Sequence, residues 1–188
     1  MKRVFLKTLA ASSLAIVAAT PSLSFATDGV INFSGSITDV TCDINGKAPG
    51  EGNITNVDLG HFPPSKFATV GTASDFVPFK LQLSGANCTD KAKVAIDFEQ
   101  VGNIDPVTGN LKLIGSAPAQ GVQIQIYNDT KDSNKIVLGQ AETSPQQAVV
   151  AGNTATLSYK ASYVSTAPLA GITAGSGISY VRYTLSYQ

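Results

Sequence analysis

From residue 29 onward, apolar and polar residues alternate with a period of two along much of the chain, and no helical periodicity competes with this pattern. Alternation of this kind gives a β-strand one apolar face and one polar face. The chain is therefore predicted to be all-β. The apolar positions of the alternating runs are Ile31, Phe33, Gly35 and Ile37; Val77, Phe79, Leu81 and Leu83; Val94, Ile96 and Phe98; Val122, Ile124 and Ile126; Leu157, Tyr159, Ala161 and Tyr163; and Val181, Tyr183, Leu185 and Tyr187.

Turn-forming dipeptides such as Asn45-Gly46, Asn128-Asp129 and Gly152-Asn153 separate these runs. Many short strands with turns between them favour an antiparallel sandwich over units that alternate strands with helices. Three shorter apolar stretches are further strand candidates, namely 57–59, 111–114 and 136–138, and residues 65–69 are a candidate for a single helical turn.

The first 26 residues have the three parts of a secretory signal. Lys2, Arg3 and Lys7 are followed by the short apolar core 9–19, and residues 24–26 (Ser-Phe-Ala) give the pattern of small residues at which such signals are cleaved. The apolar core is too short to span a bilayer. The chain is therefore predicted to be exported.

Removal of residues 1–26 takes away three positive charges and no negative ones, so the remaining 162 residues carry a net charge of −3. This charge argues against a nucleic acid or an anionic membrane as partner. Charged residues make up 14% of the chain, which is low and suggests faces that pack against other copies.

The two cysteines, Cys42 and Cys88, lie in the exported part. An oxidising compartment makes a disulfide between them the expected state. A thiol nucleophile or a metal site has no support, because His61 is the one histidine and there is no second cysteine pair.

Candidate catalytic groups are weak. Asp97 and Glu99 point to one face of a strand, but they alternate with apolar residues and fit a solvated face better than a carboxylate pair. The turn at 105–110 has oxygen ligands without the spacing of a calcium loop. No enzyme activity, catalytic residue, metal or cofactor is expected.

The strand at Gly29–Ile37 is unusual, because it is apolar near the start of the exported chain and carries a glycine within it. Glycine weakens a strand unless another backbone or a bulky side chain lies close. This run, with other motifs in order, resembles the subunits of chaperone–usher fimbriae of the type 1 and P pilus kind, and the resemblance covers essentially the whole exported chain. The other motifs are Cys42, Asp58-Leu59-Gly60, Pro78–Leu83 before Cys88, Gly121–Ile126, Leu157–Tyr163 and the ending Tyr183–Gln188.

The resemblance implies an incomplete immunoglobulin-like antiparallel β-sandwich that lacks its seventh strand and is completed by a donor strand from a neighbouring subunit. Residues 1–26 are then the signal, 27–41 the donor segment running into the first strand, and 42–188 the sandwich. The implied donor side chains are Ile31, Phe33, Gly35 and Ile37. The implied groove edge and chaperone contact comprise Val181, Tyr183, Leu185, Tyr187 and Gln188, and Cys42 and Cys88 match the family's disulfide.

The implied function is that of a structural subunit of a surface fimbria that supports adhesion, in the manner of a major shaft pilin. Its implied partners are copies of itself or other pilins, a periplasmic chaperone and an outer-membrane usher. The implied route leads through the periplasm to the cell surface. The alternative is a fimbrial subunit or secreted lectin-like domain that itself binds host glycans. The stretch from Thr27 to Thr41 is shorter than in some major pilins, so an outermost groove contact is missing or falls to Gly29.

Overall fold

The structure is a computed structural model, and it describes residues 41–130, 132–142 and 144–188. These residues belong to one compact unit. The predicted run at residues 31–37 lies outside the described residues. None of the helices within the described ranges is long and apolar enough to cross a membrane.

The described residues form an antiparallel sandwich of two sheets. The larger sheet has the order β1-β2-β8-β5-β4, with β6 also paired to β5, and the smaller has the order β7-β3-β9. The strands are β1 (Asp43–Ile44), β2 (Val77–Ser84), β3 (Lys93–Phe98), β4 (Leu111–Lys112), β5 (Val122–Asn128), β6 (Lys135–Ile136), β7 (Gln147–Val149), β8 (Thr154–Ser165) and β9 (Tyr183–Tyr187).

Alternation predicts the long strands well. In β2, Leu81 and Leu83 are buried, whereas Lys80 and Gln82 between and beside them are exposed. Strand β8 pairs with β2 along all eight residues of β2 and with β5 along all seven of its residues, so it is the centre of the larger sheet. Its Tyr159, which is 2% exposed, stacks on Phe79 of β2 and meets the ring of Phe98 edge to face. Such aromatic pairs join the two sheets across the core.

Three short elements differ from the prediction. Residues 57–59 form no strand. Strand β4 covers only the first part of its predicted stretch 111–114, and β6 includes only Ile136 of the predicted stretch 136–138. The last strand begins at Tyr183, so Val181 precedes it. The candidate helical turn is a 3₁₀ helix over Pro64–Phe67.

Strand β5 is buried on both faces, although its sequence alternates. Gln123 and Gln125 lie on the face away from the core and are 8% and 7% exposed. The turn at 105–110 covers Gln123, which donates to Asp105 Oδ2 at 2.7 Å and accepts from Thr108 Oγ1 at 2.8 Å. Hydrogen bonds from the Val107 and Thr108 amides and from Gln123 hold the pKa of Asp105 below its usual value. Buried polar side chains are tolerated here because they are hydrogen-bonded.

The predicted disulfide is present between Cys42 and Cys88, both of which have no exposed surface. It fixes the start of β1 beside the end of β2, where Asp43 pairs with Ser84. The bond closes a loop with a sequence separation of 46 residues.

Replacing both cysteines by alanine is expected to lower the free energy of unfolding by about 4 kcal/mol, because the unfolded chain regains the entropy of an open loop. Urea unfolding followed by circular dichroism measures the change. A loss below about 1 kcal/mol would show that other contacts hold this end of the sandwich in place.

Candidate functional site

An open groove of about 1390 Å³ lies between the two sheets. Its floor is formed by core side chains of both sheets, among them Leu81, Ile96, Leu111, Ile124 and Ile126. It is bounded on one side by β9 with the residues just before it, and on the other by the segment 54–62. The groove therefore exposes part of the apolar core along its length.

The β9 wall presents the alternating residues predicted from the sequence. Val181, Tyr183, Leu185 and Tyr187 line the groove and are half-buried against the core, whereas Arg182 and Thr184 also border the groove but are exposed. Burial raises the pKa of the Tyr183 hydroxyl above its usual value.

The backbone of β9 has a partner strand on one side within the described residues, namely β3. Lys93 and Gln188 exchange both backbone hydrogen bonds, at 2.8 and 2.9 Å. In an antiparallel ladder such pairs alternate with pairs whose N–H and C=O groups point outward. The register pairs Tyr187 with Val94 and Leu185 with Ile96, so these residues of β9 direct their backbone groups toward the groove.

Gln188 is exposed and is held by its backbone pair with Lys93. It extends the β9 edge by one residue and does not line the groove.

The opposite wall, the segment 54–62, has no regular secondary structure. Among the described residues none of its backbone groups makes a backbone hydrogen bond, and the Gly60 amide donates to Asp58 Oδ1 at 2.9 Å. Burial still alternates along it, because Val57 and Leu59 face the core while Ile54 and Asp58 are exposed. The segment is therefore a second strand-like edge.

Two sets of contacts show that the walls run in opposite directions. Near the start of the segment, Asn53 Nδ2 donates to Ile44 O at 2.9 Å, and the Cys42 amide donates to Tyr187 Oη at 3.1 Å near the end of β9. At the far end, Phe62 packs against Tyr163.

The Tyr163 hydroxyl donates to Gly177 O at 2.8 Å, ahead of β9. A side chain on Gly177 would collide with the Tyr163 ring. Burial raises the pKa of Tyr163, with a smaller contribution from Asp58 in the same direction. This contact joins the two walls at the end of the groove where β9 begins.

The segment 54–62 was not predicted as part of a site. Its signal in the sequence is the weak alternation of Thr55, Val57 and Leu59, of which only 57–59 is predicted as a strand candidate. The donor side chains Ile31, Phe33, Gly35 and Ile37 lie outside the described residues, so their relation to the groove stays a prediction.

The carboxylates Asp97 and Glu99 are both exposed, and His61 is exposed as well. Among the residues that the structure describes, no group of three or more histidine, cysteine or acidic side chains is arranged to hold a metal ion. The groove itself offers apolar surface and backbone edges.

Comparison with known proteins identifies the family. The fimbrial protein family matches residues 31–188. The chain belongs to the fimbrial protein family. It is thus a structural subunit of a fimbria, a filament of the cell surface, as the sequence predicted.

Two relatives illustrate the match. The F17 fimbrial protein of Escherichia coli is 36% identical over 178 residues, which cover 92% of this fimbrial chain and 94% of the relative. Long polar fimbria protein A of Salmonella typhimurium is 30% identical over 188 residues, which cover 100% of this chain and 98% of the relative.

The fold agrees with a solved pilin. The P pilus rod subunit PapA aligns with a TM-score of 0.57 and 20% identity, over 79% of this fimbrial chain and 99% of PapA. The prediction of an incomplete immunoglobulin-like β-sandwich is confirmed by this likeness together with the open groove.

A test of the groove uses a neutral apolar dye such as Nile red, which is expected to bind in the groove of the isolated subunit. Leu185→Asp places an unpaired charge among apolar side chains and is expected to weaken dye binding at least about tenfold. Ser186→Asp, one position away and outside the groove lining, is the matched control. Equal dye affinity of the two variants, with both folded by circular dichroism, would contradict the assignment of Leu185 to the groove surface.

Proposed function

We propose that this fimbrial subunit polymerises by donor-strand exchange, with residues 29–37 of one copy filling the groove of the next. The observation that supports this most directly is the pair of groove walls. Strand β9 and the segment 54–62 both present backbone groups without a strand partner among the described residues, on either side of an apolar floor. Strand addition to such an edge draws affinity from the backbone and specificity from alternate side chains.

Side-chain spacing supports the same proposal. Ile31, Phe33, Gly35 and Ile37 recur every second residue, so they share one face of a strand. Burying the three large side chains of this set would contribute roughly 5–9 kcal/mol. Each backbone hydrogen bond to β9 adds about 1 kcal/mol net. In this scheme, Gly35 lies where the groove floor leaves no room for a side chain.

A donor strand that runs antiparallel to β9 runs parallel to the segment 54–62, because the two walls point in opposite directions. Its first residues then lie near Tyr187 and its last, Ile37, near the start of β9. The contact is head-to-tail and does not close on itself, so repetition produces a filament.

The groove needs a cover before polymerisation, since an exposed apolar core beside an open strand edge promotes aggregation. In our proposal, residues 1–26 direct export, and a periplasmic chaperone inserts a strand of its own beside Val181, Tyr183, Leu185 and Tyr187. Basic residues of the chaperone hold the Gln188 carboxylate. An outer-membrane usher then exchanges this strand for residues 27–41 of the next subunit, while residues 42–188 form the sandwich. The role is structural and involves no catalysis.

Deletion of residues 27–37 is expected to yield a subunit that still enters a chaperone complex but cannot fill a neighbour's groove. Polymerisation is measured as the ladder of SDS-resistant multimers on a gel of samples that have not been boiled. The full-length chain should give a ladder, and the deletion variant should give monomer. A ladder from the deletion variant would contradict the assignment of the donor strand.

Gly35→Leu is expected to slow polymerisation at least about tenfold, because a side chain is forced against the groove floor. Ser34→Leu is the matched control, since the adjacent side chain points to the other face of the strand. The rate of ladder growth after mixing purified subunits measures both. Equal rates for the two variants would show that position 35 does not face the groove.

A further inference from the structure

At the end of the groove where β9 begins, two stretches of the chain without charged residues lie side by side, flanked by the exposed Lys112 and Arg182. Residues 113–121 and 161–181 contain no lysine, arginine, aspartate or glutamate. Their exposed parts, the loops 113–121 and 166–180, are named here the uncharged cap. The opposite end of the sandwich carries exposed charges on its loops, including Lys47, Glu51, Asp90 and Lys91.

The two loops of the uncharged cap are joined by backbone hydrogen bonds. The Ile114 amide donates to Ile178 O at 2.8 Å, and the Ser176 amide donates to Ala117 O at 2.7 Å. The Thr166 amide donates to Gly121 O at 2.8 Å. These hydrogen bonds therefore hold the two loops of the cap together as one surface.

Large apolar side chains project from the cap. Leu169 is 44% exposed and does not line the groove, whereas Ile178 at 65% and Tyr180 at 51% exposure lie where the cap meets the groove and also line it. Asn103 fixes the segment that carries two of them, because its Nδ2 donates to Ser179 Oγ at 2.8 Å and to Tyr180 O at 2.7 Å. Interface cores are depleted in charged residues, as the two loops of the cap are.

Chain length indicates what covers the cap. Under the proposed strand exchange with the donor strand antiparallel to β9, on which this step rests, Ile37 of the donating subunit lies in the groove near the start of β9. Cys42 of the same subunit is buried and disulfide-bonded in its own sandwich. Five residue steps separate the two and span at most roughly 17 Å when fully extended. The sandwich of the donor is thereby held against the cap.

We propose that the uncharged cap is a second contact surface of the filament, on which the sandwich of the strand-donating copy sits. This contact acts in addition to the groove. It joins the end of one subunit that bears Cys42 to the end of the next that bears Ile178, and it resists separation of neighbouring subunits when the filament is pulled.

Leu169→Lys and Ala117→Lys test the cap at positions that do not line the groove, with Val149→Lys as the matched control. Val149 is 57% exposed on β7, at the edge of the smaller sheet away from β9. The measurement is the rate at which purified multimers lose ladder rungs in SDS at raised temperature. We expect both cap variants to dissociate about tenfold faster than wild type, and Val149→Lys to match wild type.

Binding of a synthetic peptide of residues 27–41 to each subunit separates the groove from the cap. The cap variants should bind this peptide within twofold of wild type. Multimers of both cap variants that dissociate at the rate of Val149→Lys would overturn the cap proposal, even where wild type forms ladders and binds the peptide. Fewer fibres on cells with unchanged dissociation of purified multimers would also overturn it, since the surface would then serve an assembly factor. Failure of wild type to bind the peptide or form ladders would instead contradict strand exchange.

Discussion

The open backbone edge of β9 is the constraint on which the rest of the structure depends. Tyr183, Leu185 and Tyr187 direct their N–H and C=O groups toward the groove, and their side chains face the exposed part of the core. Within the described part of the chain, backbone groups and apolar side chains are thus left open on the same residues. A single inserted strand satisfies both needs, because its backbone pairs with the edge while its alternate side chains cover the floor.

Several contacts keep this edge in a fixed position before anything binds to it. Tyr187 reaches the backbone beside the disulfide at one end, while Asn103 holds Ser179 and Tyr180 at the other. The facing wall is held at its start by Asn53, whose amide donates to three carbonyl groups around β1. A preformed groove lowers the ordering cost of association. This favours slow dissociation, which a filament under load requires.

The sequence predicts the features that depend on local pattern. Alternation identifies β2, β3, β5, β8 and β9, and the predicted export signal is the reason to expect a bond between Cys42 and Cys88. The prediction of a strand at 57–59 is wrong, because alternation shows which side chains face inward but not whether a partner strand is present. The burial of Gln123 is not predicted for a similar reason. The turn at 105–110 covers this side chain, and sequence periodicity gives no sign of such contacts. The uncharged cap is visible as two uncharged stretches, but only the fold brings them together.

Amide hydrogen exchange along β9 tests the central claim most directly. In the isolated subunit, Thr184 and Ser186 are bonded to β3 and should exchange slowly, whereas Tyr183, Leu185 and Tyr187 should exchange quickly. On binding the peptide of residues 27–41, the three fast amides should slow by at least about a hundredfold, the effect of a stable new hydrogen bond. Fast exchange at Tyr183, Leu185 and Tyr187 in the saturated complex would contradict the account, because the groove would then bind the peptide without pairing its strand to β9.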